Sequence, residues 1–315
     1  MRILIELPSW LGDTVMATPA IENLINFHKQ SELIIVGTEI SVEIFKKHPH
    51  ISGIHILNKN YSSLFFLSKK IGKIDKFFSF RNSFRSKLFK FLVKSRLKFF
   101  FQSELFQKCH QVEKYTKFIN NSLKIELSIG PLVIHSSESF AEKLCSEDKR
   151  KPILGINPGA SYGNAKRWYP EEFSEVIVAL SNKYDIIILG GPDEKEIALD
   201  IQRLIVKKDV SNYKNLAGKL SISELINYIS NFDLFITGDS GPMHLAANYK
   251  VPTISIFGPT RSDETSQWKN DKGIIIKKNL SCQPCMKRVC PLKHHDCMRL
   301  IKAKDVLSEI QSLSL

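Results

Sequence analysis

Asp233-Leu234-Phe235-Ile236-Thr237-Gly238-Asp239-Ser240-Gly241-Pro242-Met243-His244-Leu245-Ala246-Ala247 decides how this chain is read. An apolar run stops abruptly at Gly-Asp-Ser-Gly-Pro and good helix formers follow, which predicts a buried strand, a tight turn and a helix. In open α/β sheets ligands bind at the carboxyl ends of strands, and a helix starting there offers unpaired N–H groups and its positive dipole end to an anion. Gly238 and Gly241 allow close backbone approach, Pro242 suits a first helical turn, and Ser240 and His244 can add hydrogen bonds. Phosphate is the expected guest. The same residues also fit a plain helix start in which Asp239 or Ser240 caps and His244 packs.

Outward from that stretch the pattern repeats. Residues 153–157 form a strand, 158–168 a glycine-containing loop, and a helix runs from about 170 to 183. In that loop Lys166 and Arg167 can offset diphosphate charge, while Trp168 either walls a pocket or anchors the helix, the commoner task. The strand at 185–189 ends in Gly190-Gly191-Pro192-Asp193-Glu194, where an acid either accepts ribose hydroxyls or caps the next helix. The first half opens with a strand at 2–7, broken at Pro8-Ser9-Trp10-Leu11-Gly12-Asp13, after which Val15, Met16, Ala20, Ile21, Leu24 and Ile25 recur at helical spacing. Asp13 there is either a helix cap or a carboxylate placed to take a proton from a bound hydroxyl. Strands alternating with helices predict parallel sheets covered on both faces. A polar stretch at 136–150, before Lys151-Pro152, reads as the link between domains 1–150 and 151–300.

A chain of 315 residues with 43% hydrophobic content supports two domains. No run approaches the ~18–20 apolar residues of a membrane span, and no secretory leader pattern opens the sequence, so a cytoplasmic chain is expected. The net charge of +13 concentrates in residues 69–117, with 14 Lys/Arg against 3 Asp/Glu. Such a surface suits nucleic acid, an anionic membrane face or a phosphorylated acceptor. Residues 83–101 interleave Phe84, Phe89, Phe91, Phe99, Phe100 and Phe101 with Arg85, Lys87, Lys90, Lys94, Arg96 and Lys98; this is either a lipid-facing basic edge or a solvated helix face over core. No RNA-binding consensus accompanies it, which makes nucleic acid the weaker partner. Cys282-x2-Cys285-x4-Cys290-x6-Cys297 has enough ligands for a tetrahedral structural zinc, but free thiols are favoured in a cytoplasmic chain. Neither half has Gly-x-Gly-x-x-Gly after its first strand, which disfavours a dinucleotide oxidoreductase. A non-catalytic, basic, membrane-associated binding protein would explain the charge but not Asp13 or the Gly238–Gly241 turn.

The series PSWLGDTVMATPAI at 8–21, FRNSFRSK at 80–87, NPGASYGNAKRWYPEEF at 157–173, NLAGKLSISEL at 215–225 and GDSGPMHLAA at 238–247 resembles the heptosyltransferases of glycosyltransferase family 9, most closely the type II enzymes. The resemblance implies a GT-B fold, that is, α/β with two Rossmann-like doubly wound domains facing across a cleft. It implies an acceptor-binding domain at 1–150, an ADP-sugar-binding domain at 151–300, and a C-terminal helix at 301–315 packing back on the first. It implies inverting transfer of heptose from ADP-heptose, without a required metal, to lipid A-Kdo-heptose at the inner leaflet, with Kdo itself (type I) as the alternative acceptor. Asp13 then resembles the general base and Lys166 the diphosphate support. Ser161, Tyr162, Asp193, Glu194, Leu220, Asp239, Ser240, Gly241 and His244 fall at donor positions, with either Asp193 or Glu194 near the ribose. Gly12, Arg81, Asn82 and Arg85 fall at acceptor positions. A monomer, cytoplasmic and peripheral to the inner membrane, is the corresponding expectation.

Overall fold

The computed structural model describes residues 1–58, 60–106, 108–135 and 151–313, and the chain divides into two units, Met1–Ser137 and Glu138–Leu315. The link expected at 136–150 lies outside the described residues. Among the described residues no helix is long and apolar enough to cross a membrane.

In the first unit the apolar runs become β1 (Arg2–Glu6), β2 (Glu32–Gly37), β3 (Gly53–Ile56), β4 (Ile74–Ser79) and β5 (Ser95–Phe100). All pair in parallel, in the order β3-β2-β1-β4-β5. The helices are α1 (Leu11–Phe27), α2 (Glu39–Glu43), α3 (Tyr61–Ile71), α4 (Phe84–Leu92) and α5 (Gln111–Leu123). Ile3, Leu4 and Ile5 are all fully buried, so alternate residues of β1 are covered on both faces, as a central parallel strand requires.

The second unit repeats the scheme with β6 (Ile153–Asn157), β7 (Asp185–Ile188), β8 (Tyr213–Asn215), β9 (Leu234–Gly238), β10 (Thr253–Phe257) and β11 (Gly273–Lys277). Their order is β11-β10-β9-β6-β7-β8, which counted within the unit is the Rossmann order. Its helices are α6 (Pro170–Leu180), α7 (Lys195–Val206), α8 (Ile222–Ser230), α9 (Gly241–Asn248), α10 (Ser262–Thr265), α11 (Asp296–Arg299) and α12 (Ala303–Ser312). Each sheet has one point where the strand order reverses, between β1 and β4 in the first unit and between β6 and β9 in the second. Those two points are where a doubly wound sheet opens a crevice for ligand.

The terminal helix α12 puts Ala303, Val306 and Ile310 into the core of the second unit. The Glu172 carboxylate on α6 fixes it there, accepting from Ala303 N–H at 2.7 Å and from Lys302 Nζ at 2.6 Å. A charged acceptor at the start of α12 satisfies an otherwise unpaired helix N–H.

Candidate active site

At the first unit's reversal point, the loop after β1 hands over to α1, and Asp13 stands in the first turn of that helix, half-buried. The Tyr115 hydroxyl of α5 lies 3.4 Å from Asp13 Oδ1. Tyr115 is 3% exposed, and burial first, then the Asp13 charge, hold its hydroxyl well above the usual phenol range. It therefore stays protonated and aims a donor at the carboxylate. Beneath them Glu6 closes β1, 1% exposed, accepting from Ser79 Oγ at 2.6 Å and from Ser86 Oγ. Glu6 and Ser79 are register partners across the reversal point. Burial raises the Glu6 carboxyl above its ordinary range; the two serine hydroxyls, then the charges of Arg81 and Arg85, oppose that rise. Arg81 Nη1 stands 3.9 Å from Glu6 Oε1. The Arg85 guanidinium donates to the Asn58 carbonyl and lies 5.8 Å from the Tyr61 ring centre. Asn82 is exposed beside them, and Gly12 precedes Asp13 in α1.

At the second unit's reversal point the loop after β6 meets the turn after β9. Lys166 Nζ lies 2.5 Å from Asp239 Oδ2 and 3.3 Å from the Asp239 carbonyl, with its charge 4.6 Å from the Tyr162 ring centre. Thr260 Oγ1, on the loop after β10, donates to the same Asp239 oxygen at 2.6 Å. Ser240 is the residue before α9, and its hydroxyl makes no cap bond; instead Asn157 Nδ2 donates to it at 3.2 Å. Asn157 is 1% exposed, and its Oδ1 has no hydrogen-bond partner among the described residues. His244 lies buried one turn along α9. Asp239 is thus no helix cap: its carboxylate is spent on Lys166 and Thr260, and in the first turn of α9 Pro242 has no N–H to offer while Met243 N–H donates to the Ser240 carbonyl at 3.1 Å.

The neighbouring loops separate two adjacent acids. Asp193 is exposed, whereas Glu194 is 6% exposed and accepts from Gly191 N–H at 2.7 Å. A Cβ at Gly159 would come within 2.0 Å of the Glu194 carboxyl carbon, so glycine is required for the loop after β6 to pass over that acid. Gly218 N–H donates to the Gly190 carbonyl at 2.8 Å, joining the loop after β7 to the one that carries half-buried Leu220. Ser161 is exposed, and Tyr162 donates to the Met286 carbonyl at 2.8 Å. Trp168 is 2% exposed and donates to the Ile301 carbonyl at 2.9 Å, the anchoring reading.

Cys282, Cys285, Cys290 and Cys297 are free thiols. Burial first, then the three other cysteines, pushes the Cys297 thiol up to about 11. Among the described residues, the four sulfurs do not all lie within 4.8 Å of one another.

Glu6, Tyr115, Asn157 and Thr260 complete these clusters without having been singled out in the sequence. Only Glu6 carried a signal, a charge inside an apolar strand run.

Two parallel doubly wound sheets of Rossmann order define the GT-B class of glycosyltransferase. The chain belongs to glycosyltransferase family 9 (heptosyltransferase), whose model matches residues 62–295. It is 42% identical over 99% of its length to lipooligosaccharide heptosyltransferase 2 of Campylobacter jejuni subsp. jejuni serotype O:2, covering 98% of that protein. The structure of Escherichia coli ADP-heptose lps heptosyltransferase II superposes with a TM-score of 0.81 at 21% identity, over 99% of this chain and 98% of the other. An E. coli heptosyltransferase solved with ADP matches at TM-score 0.75 and 17% identity, over 100% of both chains.

Proposed function

We propose that the chain transfers L-glycero-D-manno-heptose from ADP-heptose to the heptosyl-Kdo-lipid A inner core of lipopolysaccharide or lipooligosaccharide, inverting the anomeric centre. The observation that carries this reading is the Lys166–Asp239–Thr260 cluster beside the start of α9, which brings an ammonium donor, a hydroxyl donor and the helix's positive dipole end to a strand-order reversal. A diphosphate leaving group develops charge that those donors meet without reorganising. The acceptor hydroxyl loses its proton to Asp13 as it attacks the anomeric carbon, and ADP departs. Gly12, Arg81, Asn82 and Arg85 bind the anionic acceptor, and Ser161, Tyr162 and Leu220 bind the donor. Incubating the protein with ADP-heptose and heptosylated Kdo-lipid A tests the reading: ADP and a one-heptose mass increase are expected. Turnover only on Kdo-lipid A would move the assignment to the type I reaction, and no ADP from either acceptor would reject it.

Of the two candidate ribose acids, Glu194 is the one directed under the glycine loops. Glu194→Gln is expected to weaken ADP-heptose binding about tenfold or more, the scale of a charge-assisted hydrogen bond. Asp193→Asn changes it less than about twofold. Calorimetric titration with ADP-heptose checks both.

Peripheral attachment to the inner membrane is part of the same proposal. Phe66 of α3 and Phe91 of α4 are 69% and 82% exposed, and α4 also carries Arg85, Lys87 and Lys90. Exposed aromatics framed by cations suit an anionic headgroup layer. Phe66→Ser with Phe91→Ser is expected to lower binding to phosphatidylglycerol-containing vesicles about tenfold in sedimentation, with turnover of a detergent-free truncated acceptor unchanged.

A further inference from the structure

We propose that Glu22, His48 and His135 form a site for one divalent transition-metal ion of the zinc type, separate from the residues assigned to donor and acceptor. Among the described residues, this is the set of His, Cys, Asp and Glu whose ligand atoms all lie within 4.8 Å of one another. Glu22 belongs to α1, His48 follows α2, and His135 lies in a segment running back along α1. That segment is tied down by Val133 N–H to Thr18 Oγ1 at 3.0 Å and by Asn23 Nδ2 to the Ser128 carbonyl at 3.0 Å. Three stretches distant in sequence therefore converge on one point.

His48 is 6% exposed, and its Nε2 lies 2.7 Å from Glu22 Oε1. His135 Nε2 lies 3.7 Å from the same oxygen, beyond hydrogen-bond reach, and is buried with no hydrogen-bond partner among the described residues. The two imidazoles meet edge to face, ring centres 4.4 Å apart. A buried imidazole nitrogen left unbonded while facing a carboxylate and a second imidazole is an incomplete polar cluster. One cation within reach of all three completes it.

The donor set selects the ion. Two imidazoles and one carboxylate suit zinc, with a fourth position for water, and suit poorly the all-oxygen preference of calcium or magnesium. Ligands about 2.0–2.2 Å from a tetrahedral ion stand roughly 3.3–3.6 Å apart. The 3.7 Å pair is thus already at ligand spacing, and the 2.7 Å pair must open by less than about 1 Å. The protons also balance. His48 Nδ1 accepts from His50 N–H at 3.2 Å, so without the ion its Nε2 carries the proton donated to Glu22. Coordination at Nε2 sends that proton to Nδ1 and leaves the ring neutral; Nδ1–H and His50 N–H are then both donors, so the exposed His50 turn must swing its N–H away and let water accept from Nδ1–H.

Glu22 stands nine residues beyond Asp13 on α1, about 13 Å along the helix at 1.5 Å per residue. The ion therefore braces α1 against its neighbours and takes no part in proton transfer. Chelator-stripped full-length protein titrated with Co2+ alone reads the ligands, since thiolate ligation adds an intense near-ultraviolet band that nitrogen and oxygen ligands lack. One equivalent is expected, with visible bands and no thiolate band. His135→Gln, a change at a half-exposed residue, weakens binding at least tenfold, Glu22→Gln does likewise, and Cys285→Ser leaves it unchanged. Zn2+ displaces the cobalt and raises the Tm of the parent but not of His135→Gln. No bound cobalt, a thiolate-type spectrum, or unchanged affinity in His135→Gln and Glu22→Gln would each overturn the proposal.

Discussion

Asp13→Asn lowers turnover about 100- to 10,000-fold, the range spanned by loss of a positioned general base, while ADP-heptose binds as before. The reason is local. Asn keeps an oxygen for the Tyr115 hydroxyl, 3.4 Å from the carboxylate in the parent, so the first turn of α1 retains its packing, but it cannot accept the acceptor's proton. The loss therefore falls on kcat, because the missing interaction forms only as the hydroxyl attacks. Tyr115→Phe separates holding the base from being it. Without the donor the carboxylate is less well aimed, and a fall of about tenfold or less is expected, with the donor KM unchanged. Steady-state kinetics with ADP release as the signal measures both. An Asp13→Asn enzyme within a few-fold of the parent would remove the residue from the reaction.

Much of the fold follows from local pattern. The apolar runs at 2–7, 153–157 and 233–238 become central strands because their consecutive apolar residues need cover on both faces, and glycine- and proline-marked breaks after them become the sheet-edge loops. What periodicity cannot give is the identity of the opposing surface. Val306 and Ile310 announce a buried stripe on α12, yet only Glu172, some 130 residues earlier, fixes it to the second unit. The same holds for the aromatic run at 84–101: Phe89 is fully buried while Phe84 and Phe91, one helix face away, are 77% and 82% exposed. At the candidate site the residue types could be read but the pairing could not. Asp239 looks like a cap in sequence; it becomes an ion-pair partner because Lys166, 73 residues away, arrives from the neighbouring loop. Asp193 and Glu194 are indistinguishable as letters, and only in the fold does the Gly191 N–H hold the Glu194 carboxylate inward while Asp193 stays exposed.

That ion pair sets the second large effect. The Lys166 and Asp239 side chains are 12% and 5% exposed, so Lys166→Ala leaves a nearly buried carboxylate that keeps the Thr260 hydroxyl but loses its cation. Removing one partner of a buried pair costs about 3–5 kcal/mol, and a clear drop in Tm is expected. The consequence for function is larger than the loss of one phosphate contact. With Lys166 in place, the Asp239 charge is cancelled and a diphosphate can approach the start of α9; without it, an uncompensated negative charge sits at the same turn and repels the donor. Lys166→Ala should therefore weaken ADP-heptose binding about 100-fold or more and reduce kcat as well, since the departing ADP loses the same cation. The double variant Lys166→Ala/Asp239→Asn tests the repulsive part. If the carboxylate charge opposes the donor, neutralising it recovers roughly tenfold of the lost affinity and part of the Tm, a coupling read directly from the cycle of single and double variants. If Lys166 acts on the donor alone, Asp239→Asn adds no recovery, and the pair is then structural support for the turn with no share in admitting the anion.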